Sequence, residues 1–353
     1  MNVTRRDFIK GSLMLGGSLL IALDATPASR AKNTQFLPAY AKLAHEGTLA
    51  QRVEHAYSIF EECRLCPRQC GVNRIGGERG YCNAPSQVMI YSAHPHFGEE
   101  ISLVGKGGSG TIFFSNCNLR CVFCQNWPIS IEGQGRGYSD EQLAQMMLHL
   151  QNIGCHNVNL VTPTHVMPNI INATRIAFQN GLRIPLVYNT SGYESVEILK
   201  LLDGVVDIYL PDLKYMDAHM ADKFSSGASD YPDAAKSAIL EMHRQVGLHQ
   251  VDPRGIARRG VMIRHLVMPN NVAGTQTFVK WVAKNLPETT YVNIMHQYHV
   301  EYKAFEYPEI WRAIRVEEYL EAMQWARDAG LKNLDPKSLV ARDFFVRQKK
   351  GKE

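Results

Sequence analysis

Three cysteines in the middle of the chain have the spacing of an iron–sulfur ligand set. Cys117, Cys121 and Cys124, here the loop cysteines, follow the pattern Cys-x3-Cys-x2-Cys, with Phe123 just before the third. Three thiolates can hold three irons of a 4Fe–4S cube and leave the fourth iron open to a cofactor, which a closed four-thiolate site cannot do. The alternative is a zinc loop with a remote fourth ligand, although structural zinc normally closes with a second local pair.

Four further cysteines lie nearer the N-terminus. Cys63, Cys66, Cys70 and Cys82, here the lobe cysteines, fall within 20 residues and are separated by turn-forming Gly and Pro. A closed four-cysteine site accepts zinc or a second iron–sulfur centre, and the residue types do not separate the two. The site is either an auxiliary redox cluster or a structural metal that stabilises a small lobe. The remaining cysteine, Cys155, is interpreted as a buried thiol.

The elements that must position these thiols alternate regularly along the chain. Apolar runs typical of buried strands occupy residues 111–114, 158–161, 185–188, 205–210, 261–263 and 291–295. Amphipathic segments that predict helices lie between and after them, at residues 139–153, 170–180, 195–202, 234–246, 277–286 and 316–329. Six βα units predict a parallel sheet with right-handed crossovers. We therefore expect an α/β fold, a partial (β/α)6 TIM-like barrel, with an open doubly wound sheet as the alternative.

The predicted organisation has four parts. Residues 1–31 form a signal peptide, 32–104 a small Cys-rich N-terminal lobe with the four-cysteine metal site, 105–335 the partial barrel, and 336–353 a basic C-terminal tail. The net charge of +4 is small for 353 residues, so there is no electrostatic case for nucleic acid as a partner. A hydrophobic content of 45% with 20% charged residues is typical of a globular protein and excludes intrinsic disorder.

The first residues resemble a twin-arginine export signal. Arg5 and Arg6 precede Asp-Phe-Ile-Lys, and the uncharged run at residues 11–23 is too short to span a bilayer. Small residues at Ser29 and Ala31 flank Arg30 at a cleavage position. The prediction is export, already folded, to the periplasm or another extracytoplasmic compartment, with contact to the membrane only through an uncleaved leader. The alternative is a fortuitous match on a cytoplasmic enzyme.

Polar side chains collect where the predicted strands end. In either α/β arrangement the active face lies at the carboxyl ends of the strands. Asp212 and Lys214 are two residues apart at such an end, so their side chains point to the same face. The residues of this set are Asn189, Asp212, Lys214, Arg264, His296 and His299.

From about Glu61 to Leu334 the chain resembles the radical S-adenosylmethionine superfamily. It is similar to an iron–sulfur subgroup related to the pyruvate formate-lyase activating enzymes. The motifs that carry this resemblance are at residues 63–74, 108–114, 117–124, 241–247 and 307–310. The resemblance implies a 4Fe–4S cluster and S-adenosylmethionine (SAM) as cofactors, with a low-potential electron donor as a partner. The reduced cluster would cleave SAM to methionine and a 5′-deoxyadenosyl radical, which abstracts hydrogen from a substrate that the sequence does not identify, a partner protein being one candidate.

The resemblance also implies residue roles. The loop cysteines would ligate the catalytic cluster, beside Phe123. Asp212 and Lys214 match residues that hold the ribose and carboxylate of SAM, and Asn189 stands where the activating enzymes often carry Asp. Arg264 and His299 match further cofactor contacts.

One motif departs from the family pattern. The second strand commonly ends there in a Gly-Gly-Glu-like motif, whereas this chain continues Val161-Thr162-Pro163-Thr164-His165 and carries no carboxylate. His165 is either a substrate-side residue or a loop residue, and we favour the loop interpretation. The second hypothesis for the whole chain is an iron–sulfur electron-transfer or metal-handling protein that does not cleave SAM, which the polar set at the strand ends argues against.

Overall fold

The computed structural model describes residues 36–350. The predicted signal peptide therefore lies outside the described residues. The strands are β1 (Val88–His96), β2 (Ser109–Phe114), β3 (Arg136–Tyr138), β4 (Val158–Val161), β5 (Leu186–Thr190), β6 (Ile208–Pro211), β7 (Gln250–Val251), β8 (Ala257–Leu266), β9 (Tyr291–Met295) and β10 (Asn333–Leu334). The helices are α1 (Ala39–His45), α2 (Thr48–Ser58), α3 (Ile101–Val104), α4 (Trp127–Ser130), α5 (Asp140–Asn152), α6 (Met167–Gln179), α7 (Val196–Leu201), α8 (Ala218–Phe224), α9 (Tyr231–Val246), α10 (Thr275–Asn285), α11 (Val316–Asp328) and α12 (Pro336–Lys350).

The central sheet is mostly parallel and open. Strands β2, β4, β5, β6, β8 and β9 pair in this order and all run parallel. Beyond β2 the antiparallel strands β1 and β3 extend the sheet, and β10 extends it beyond β9. In the part of the chain that is described, the two ends of the sheet do not pair with each other. The predicted α/β fold is thus confirmed, as a mostly parallel sheet that is not closed into a full barrel.

Alternation along the strands places three residues of the polar set, Asn189, Asp212 and Arg264, on one face of the sheet. Val187, Ile208, Leu210 and Met262 share one small buried cluster with Leu103 of α3. Side chains two positions apart on a strand share a face. Asn189 follows Val187, Asp212 follows Leu210 and Arg264 follows Met262 at this spacing, so the polar residues continue the face of that cluster toward the carboxyl ends. The other face, with Tyr188 and Tyr209, packs in the larger core with the helices.

The helices begin close to the positions that the sequence predicts. The capping box of α5 is present, because Ser139 Oγ accepts from the Gln142 amide at 3.3 Å and Gln142 Oε1 accepts from the Ser139 amide at 2.9 Å. Helix α6 starts at Met167 rather than residue 170, with Pro168 in its first turn, where the fixed φ of proline suits a helix. No helix of residues 36–350 is long and apolar enough to cross a membrane.

The N-terminal and C-terminal segments are joined to the barrel. Tyr40 of α1 donates to the Ile184 carbonyl at 2.8 Å, and residues from Leu37 onward form one unit. The segment predicted as a basic tail forms helix α12 over Pro336–Lys350. Its Ser338 and Ala341 are buried, and Ser338 Oγ accepts from the Ile294 amide at 3.0 Å.

Candidate active site

A cavity of about 290 Å³ lies at the carboxyl ends of the parallel strands. It is lined by the three loop cysteines and by residues in or just after β4, β5, β6, β8 and β9. Every residue predicted to bind the catalytic cluster or SAM is in this wall: Cys117, Cys121, Phe123, Cys124, Asn189, Asp212, Lys214, Arg264 and His299. His296 is not part of this wall and packs instead against Tyr319, with ring centroids 5.5 Å apart.

The loop cysteines lie between β2 and α4, in backbone that winds tightly. Asn116 and Arg120 have left-handed φ values of 75° and 54°, and Cys124 donates its amide to the Cys121 carbonyl at 3.2 Å. Cys117 and Cys121 are buried, whereas Cys124 is half-buried. The loop therefore presents three thiols to one end of a single cavity.

The sulfur atoms have donors around them. The Leu119 amide donates to Cys117 Sγ at 3.4 Å, and Ser225 Oγ donates to Cys121 Sγ at 3.1 Å. Burial raises the pKa of Cys121 to about 12, against an opposing effect of Lys214. Such a thiol is neutral unless a metal displaces its proton, and coordination does so outright. Three thiols that line one cavity, two of them buried and with hydrogen-bond donors at sulfur, fit an iron–sulfur cluster with one open iron.

A charged network crosses the cavity floor. Lys214 Nζ donates to Asp212 Oδ2 at 2.5 Å, and Arg264 Nε donates to Asp212 Oδ1 at 2.8 Å. Arg264 also donates from Nη2 to Asn189 Oδ1 at 2.6 Å. Burial by itself would raise the pKa of Asp212, but Arg264 and Lys214 outweigh it and hold that pKa below its ordinary value. Asp212 is therefore ionised and forms ion pairs with both Lys214 and Arg264.

Glu99 is a site residue that the sequence did not predict. Its Oε2 lies 3.5 Å from Arg264 Nη1 and its Oε1 accepts from Asn189 Nδ2 at 3.4 Å. Burial raises the pKa of Glu99 to about 7, although Arg264 lowers it. Glu99 precedes α3, upstream of the predicted barrel. One signal in the sequence could have indicated this role, namely that the acidic pair Glu99 and Glu100 directly precedes an apolar run. An apolar run predicts burial, and because carboxylates are rarely buried without a partner, a cationic partner could have been expected.

The ends of β4 and β5 are tied together by a second unpredicted carboxyl group. Glu194 Oε1 accepts from Thr164 Oγ1 at 2.5 Å and also from Thr190 Oγ1. Thr190 lines the cavity, so Glu194 positions the wall without touching the space inside it. Burial raises the pKa of Glu194 to about 7, and the bonds from Thr164 and Thr190 only partly oppose it.

We expect the free energy of unfolding of the Glu194→Gln variant to increase, relative to that of the parent, as pH rises. With an ordinary pKa of 4.5 in the unfolded chain and about 7 in the folded one, the folded state holds a proton that the unfolded state has lost. The parent therefore loses stability between these pH values, by about 1.4 kcal/mol per pH unit. Unfolding free energies of both proteins at about pH 5 and about pH 8 test this. A variant–parent difference that does not change with pH would contradict it.

The lobe cysteines line a separate cavity together with Arg74 and His165. His165 lies in the connection between β4 and α6, in a 3-10 turn at Thr164–Val166, and its side chain is buried. Its Nε2 donates to the Ser115 carbonyl at 2.7 Å. The turn after β4 thus points this ring inward instead of into solvent.

Within residues 36–350, no three His, Cys, Asp or Glu side chains are arranged around a position for a single metal ion.

Comparison with known proteins supplies the family. The model of the radical SAM superfamily matches residues 111–245. Protein MJ0674 of Methanocaldococcus jannaschii, itself uncharacterised, is 35% identical over 291 residues, which are 79% of this chain and 78% of that protein.

Two solved structures are also similar to this chain. Streptococcus suis SuiB bound to S-adenosylmethionine has a TM-score of 0.42 at 12% identity, over 60% of this chain and 45% of SuiB. Methylornithine synthase has a TM-score of 0.41 at 14% identity, over 84% of this chain and 85% of that one. The chain therefore contains a domain of the radical SAM superfamily that includes the loop cysteines, and it belongs to one family with MJ0674.

Proposed function

We propose that this enzyme binds a 4Fe–4S cluster at the loop cysteines and SAM at Asn189, Asp212, Lys214, Arg264 and His299. One observation carries the proposal: residues from five separate strand ends and the cysteine loop line the same cavity. When bound and reduced by a low-potential donor, the cluster would supply the electron that cleaves SAM to methionine and a 5′-deoxyadenosyl radical. The protein binds the cofactor in fixed orientation and excludes water from this chemistry.

Each polar residue has a distinct part in holding SAM. Lys214 supplies a cation for the carboxylate of SAM, and Asp212 accepts from the ribose hydroxyls. Arg264 fixes Asp212 and Asn189 through its hydrogen bonds to both. No carboxylate follows β4 directly, so the oxygens available to the amino group there belong to Val161 and Thr162, which line the cavity.

Lys214→Ala should weaken SAM binding and leave the iron content unchanged. A charge-assisted hydrogen bond to a carboxylate contributes about 1.5–3 kcal/mol, so the dissociation constant should rise by about 10–150-fold. Calorimetric titration of SAM into the anaerobically reconstituted protein measures it. Lys223→Ala is the matched control, because Lys223 pairs with Glu309 at 2.5 Å outside this cavity wall. An affinity within about threefold of the parent would reject the role of Lys214.

We further propose an activating-enzyme role, in which the hydrogen donor is a glycine of a partner polypeptide. The resemblance to activating enzymes suggests it, and exposed aromatic residues in the segment that follows the cavity residue Tyr298 support it. The segment after β9 places Tyr298 in the cavity wall and then exposes Phe305 and Trp311, at 63% and 61%. Large exposed aromatic side chains are enriched in protein interfaces.

Peptides with α-deuterated glycine test this role. Deuterium should appear in 5′-deoxyadenosine when the reduced enzyme, SAM and such peptides are mixed. Phe305→Ser with Trp311→Ser should reduce this transfer while SAM binding stays at the parent level. Cleavage of SAM without any transfer from a panel of glycine peptides would count against a polypeptide substrate.

A further inference from the structure

The cavity at the lobe cysteines is built around sulfur. All four thiols line it, and the Tyr81 amide donates to Cys70 Sγ at 3.3 Å. At Gly80 a Cβ atom would lie 2.9 Å from the same sulfur, so the backbone passes closer to Cys70 than any side chain permits. Amide donors at sulfur are a feature of thiolates bound to metal, whose charge they stabilise.

A buried guanidinium adjoins these thiols, and none of the carboxylates in residues 36–350 is its partner. Arg74 is 1% exposed. It donates to the carbonyls of His165, at 2.8 Å, and Pro85, and lies 3.9 Å from Cys63 Sγ. Its Nε has no partner among the described residues. Guanidinium is always charged, and a buried charge is costly unless it is paired. A centre bound by four thiolates is negative and supplies the missing counter-charge.

A second unpartnered group lines the same cavity. Because a carbonyl oxygen only accepts, the bond to Ser115 places the ring proton of His165 on Nε2. The other nitrogen, Nδ1, is buried and finds no partner in residues 36–350. Two unsatisfied buried nitrogens on two different elements are explained together if the cavity between them holds a polar group.

The arrangement favours a cluster over zinc. Zinc requires all its sulfur ligands at about 2.3 Å from one point, whereas in a cube each sulfur binds a different iron. Four lobe thiols share one cavity, yet no three donor side chains of the described chain surround a single-ion position. The loop cysteines, to which the proposed function assigns a 4Fe–4S cluster, combine the same two properties.

The two cysteine sets are neighbours. Asn118, which directly follows Cys117, lines the cavity of the lobe cysteines. Arg68 of the lobe donates from Nε to the Asn118 carbonyl at 3.2 Å. His165 forms a further bridge, since it contacts Arg74 on one side and the Ser115 carbonyl of the cysteine loop on the other.

We propose that the lobe cysteines bind a second, redox-active 4Fe–4S cluster that passes electrons to the cluster at the loop cysteines. This inference rests on the proposed function. In each transfer the second cluster loses one electron and the cluster at the loop cysteines gains it. No proton is transferred, and no covalent bond is made or broken. A low-potential one-electron donor protein then reduces the second cluster again. Arg74 is a positioning residue that offsets the negative charge of this cluster.

The first test is the metal content of the parent protein after anaerobic purification. We expect about eight irons per chain and no stoichiometric zinc. In the reduced protein, SAM should perturb one electron paramagnetic resonance signal and leave a second unchanged. About four irons with one zinc would overturn the proposal. Eight irons with no response to SAM would instead contradict the proposed function, and with it the relay.

The second test separates the clusters. Cys66→Ala with Cys82→Ala should keep about four irons and the SAM-responsive signal, and the triple alanine variant of the loop cysteines should keep about four irons and the unresponsive one. Arg74→Gln leaves all cysteines in place. It should shift only the potential of the unresponsive signal, in the negative direction. An unchanged potential would refute the role of Arg74.

The third test measures the relay. The parent is reduced photochemically, the reductant is removed, and SAM is added. Two stored electrons should give about twice as much 5′-deoxyadenosine per chain as the Cys66→Ala, Cys82→Ala variant, which stores one. Equal yields from a parent that carries both clusters would overturn the relay.

Discussion

Replacing Cys117, Cys121 or Cys124 by alanine should abolish the SAM-responsive 4Fe–4S signal and all 5′-deoxyadenosine formation. Each thiol would bind one iron, and two thiolates do not hold a cube that needs three protein ligands to leave only one iron open. Iron analysis with electron paramagnetic resonance, with and without SAM, measures the loss. This is the largest effect that we expect from any single substitution in the chain.

The matched control is Cys155→Ala. Cys155 is also a buried thiol, but it does not line the cavity. It should keep the signal and the activity. A SAM-responsive signal that survives in the triple alanine variant of the loop cysteines would show that the cluster is elsewhere.

Asp212→Ala should be the most destabilising substitution in the cavity wall. It removes the carboxylate that accepts from both Lys214 and Arg264. Two cations would then remain in a buried site, and breaking a buried ion pair by removing one partner costs about 3–5 kcal/mol. Urea unfolding of the cluster-loaded protein, followed anaerobically by tryptophan fluorescence, should show a loss of this size.

Two variants calibrate that measurement. Asp233 pairs with Lys236 at 3.3 Å and its side chain is 93% exposed, so Asp233→Ala should cost only about 0–1 kcal/mol. Asp212→Asn keeps the acceptor oxygen and should fall between the two. If Asp212→Ala were no more costly than Asp233→Ala, the network would not contribute to the stability of the fold.

The sequence predicted the barrel and its polar wall because both follow from short-range rules. Alternation within a strand fixes which side chains share a face, and the ends of parallel strands meet at one edge. Asn189, Asp212 and Arg264 are separated along the chain, yet each is two positions beyond a buried apolar residue of the inner cluster. Their convergence in one cavity therefore required only the strand assignments.

Glu99, Glu194 and His165 were missed because their roles depend on contacts across the fold. Glu99 meets Arg264 from a segment upstream of the barrel. The ring of His165 turns inward because its Nε2 bonds to the Ser115 carbonyl, and nothing in Thr-Pro-Thr-His indicates this direction. Helix α12 was missed for another reason. Its buried positions include Ser338 and Ala341, so it lacks the apolar stripe by which amphipathic helices are identified.

The floor of the barrel comes from chain that precedes it. Leu103 of α3 packs among Val187, Ile208 and Met262, and Glu100 accepts from Asn293 Nδ2 at 2.9 Å. Lobe and barrel are thus not interchangeable modules. A gene fusion or truncation made at residue 105 would leave the apolar bottom of the barrel open to water. In any chimera in which the lobe is exchanged, residues 99–104 must therefore stay with the strands that they cover.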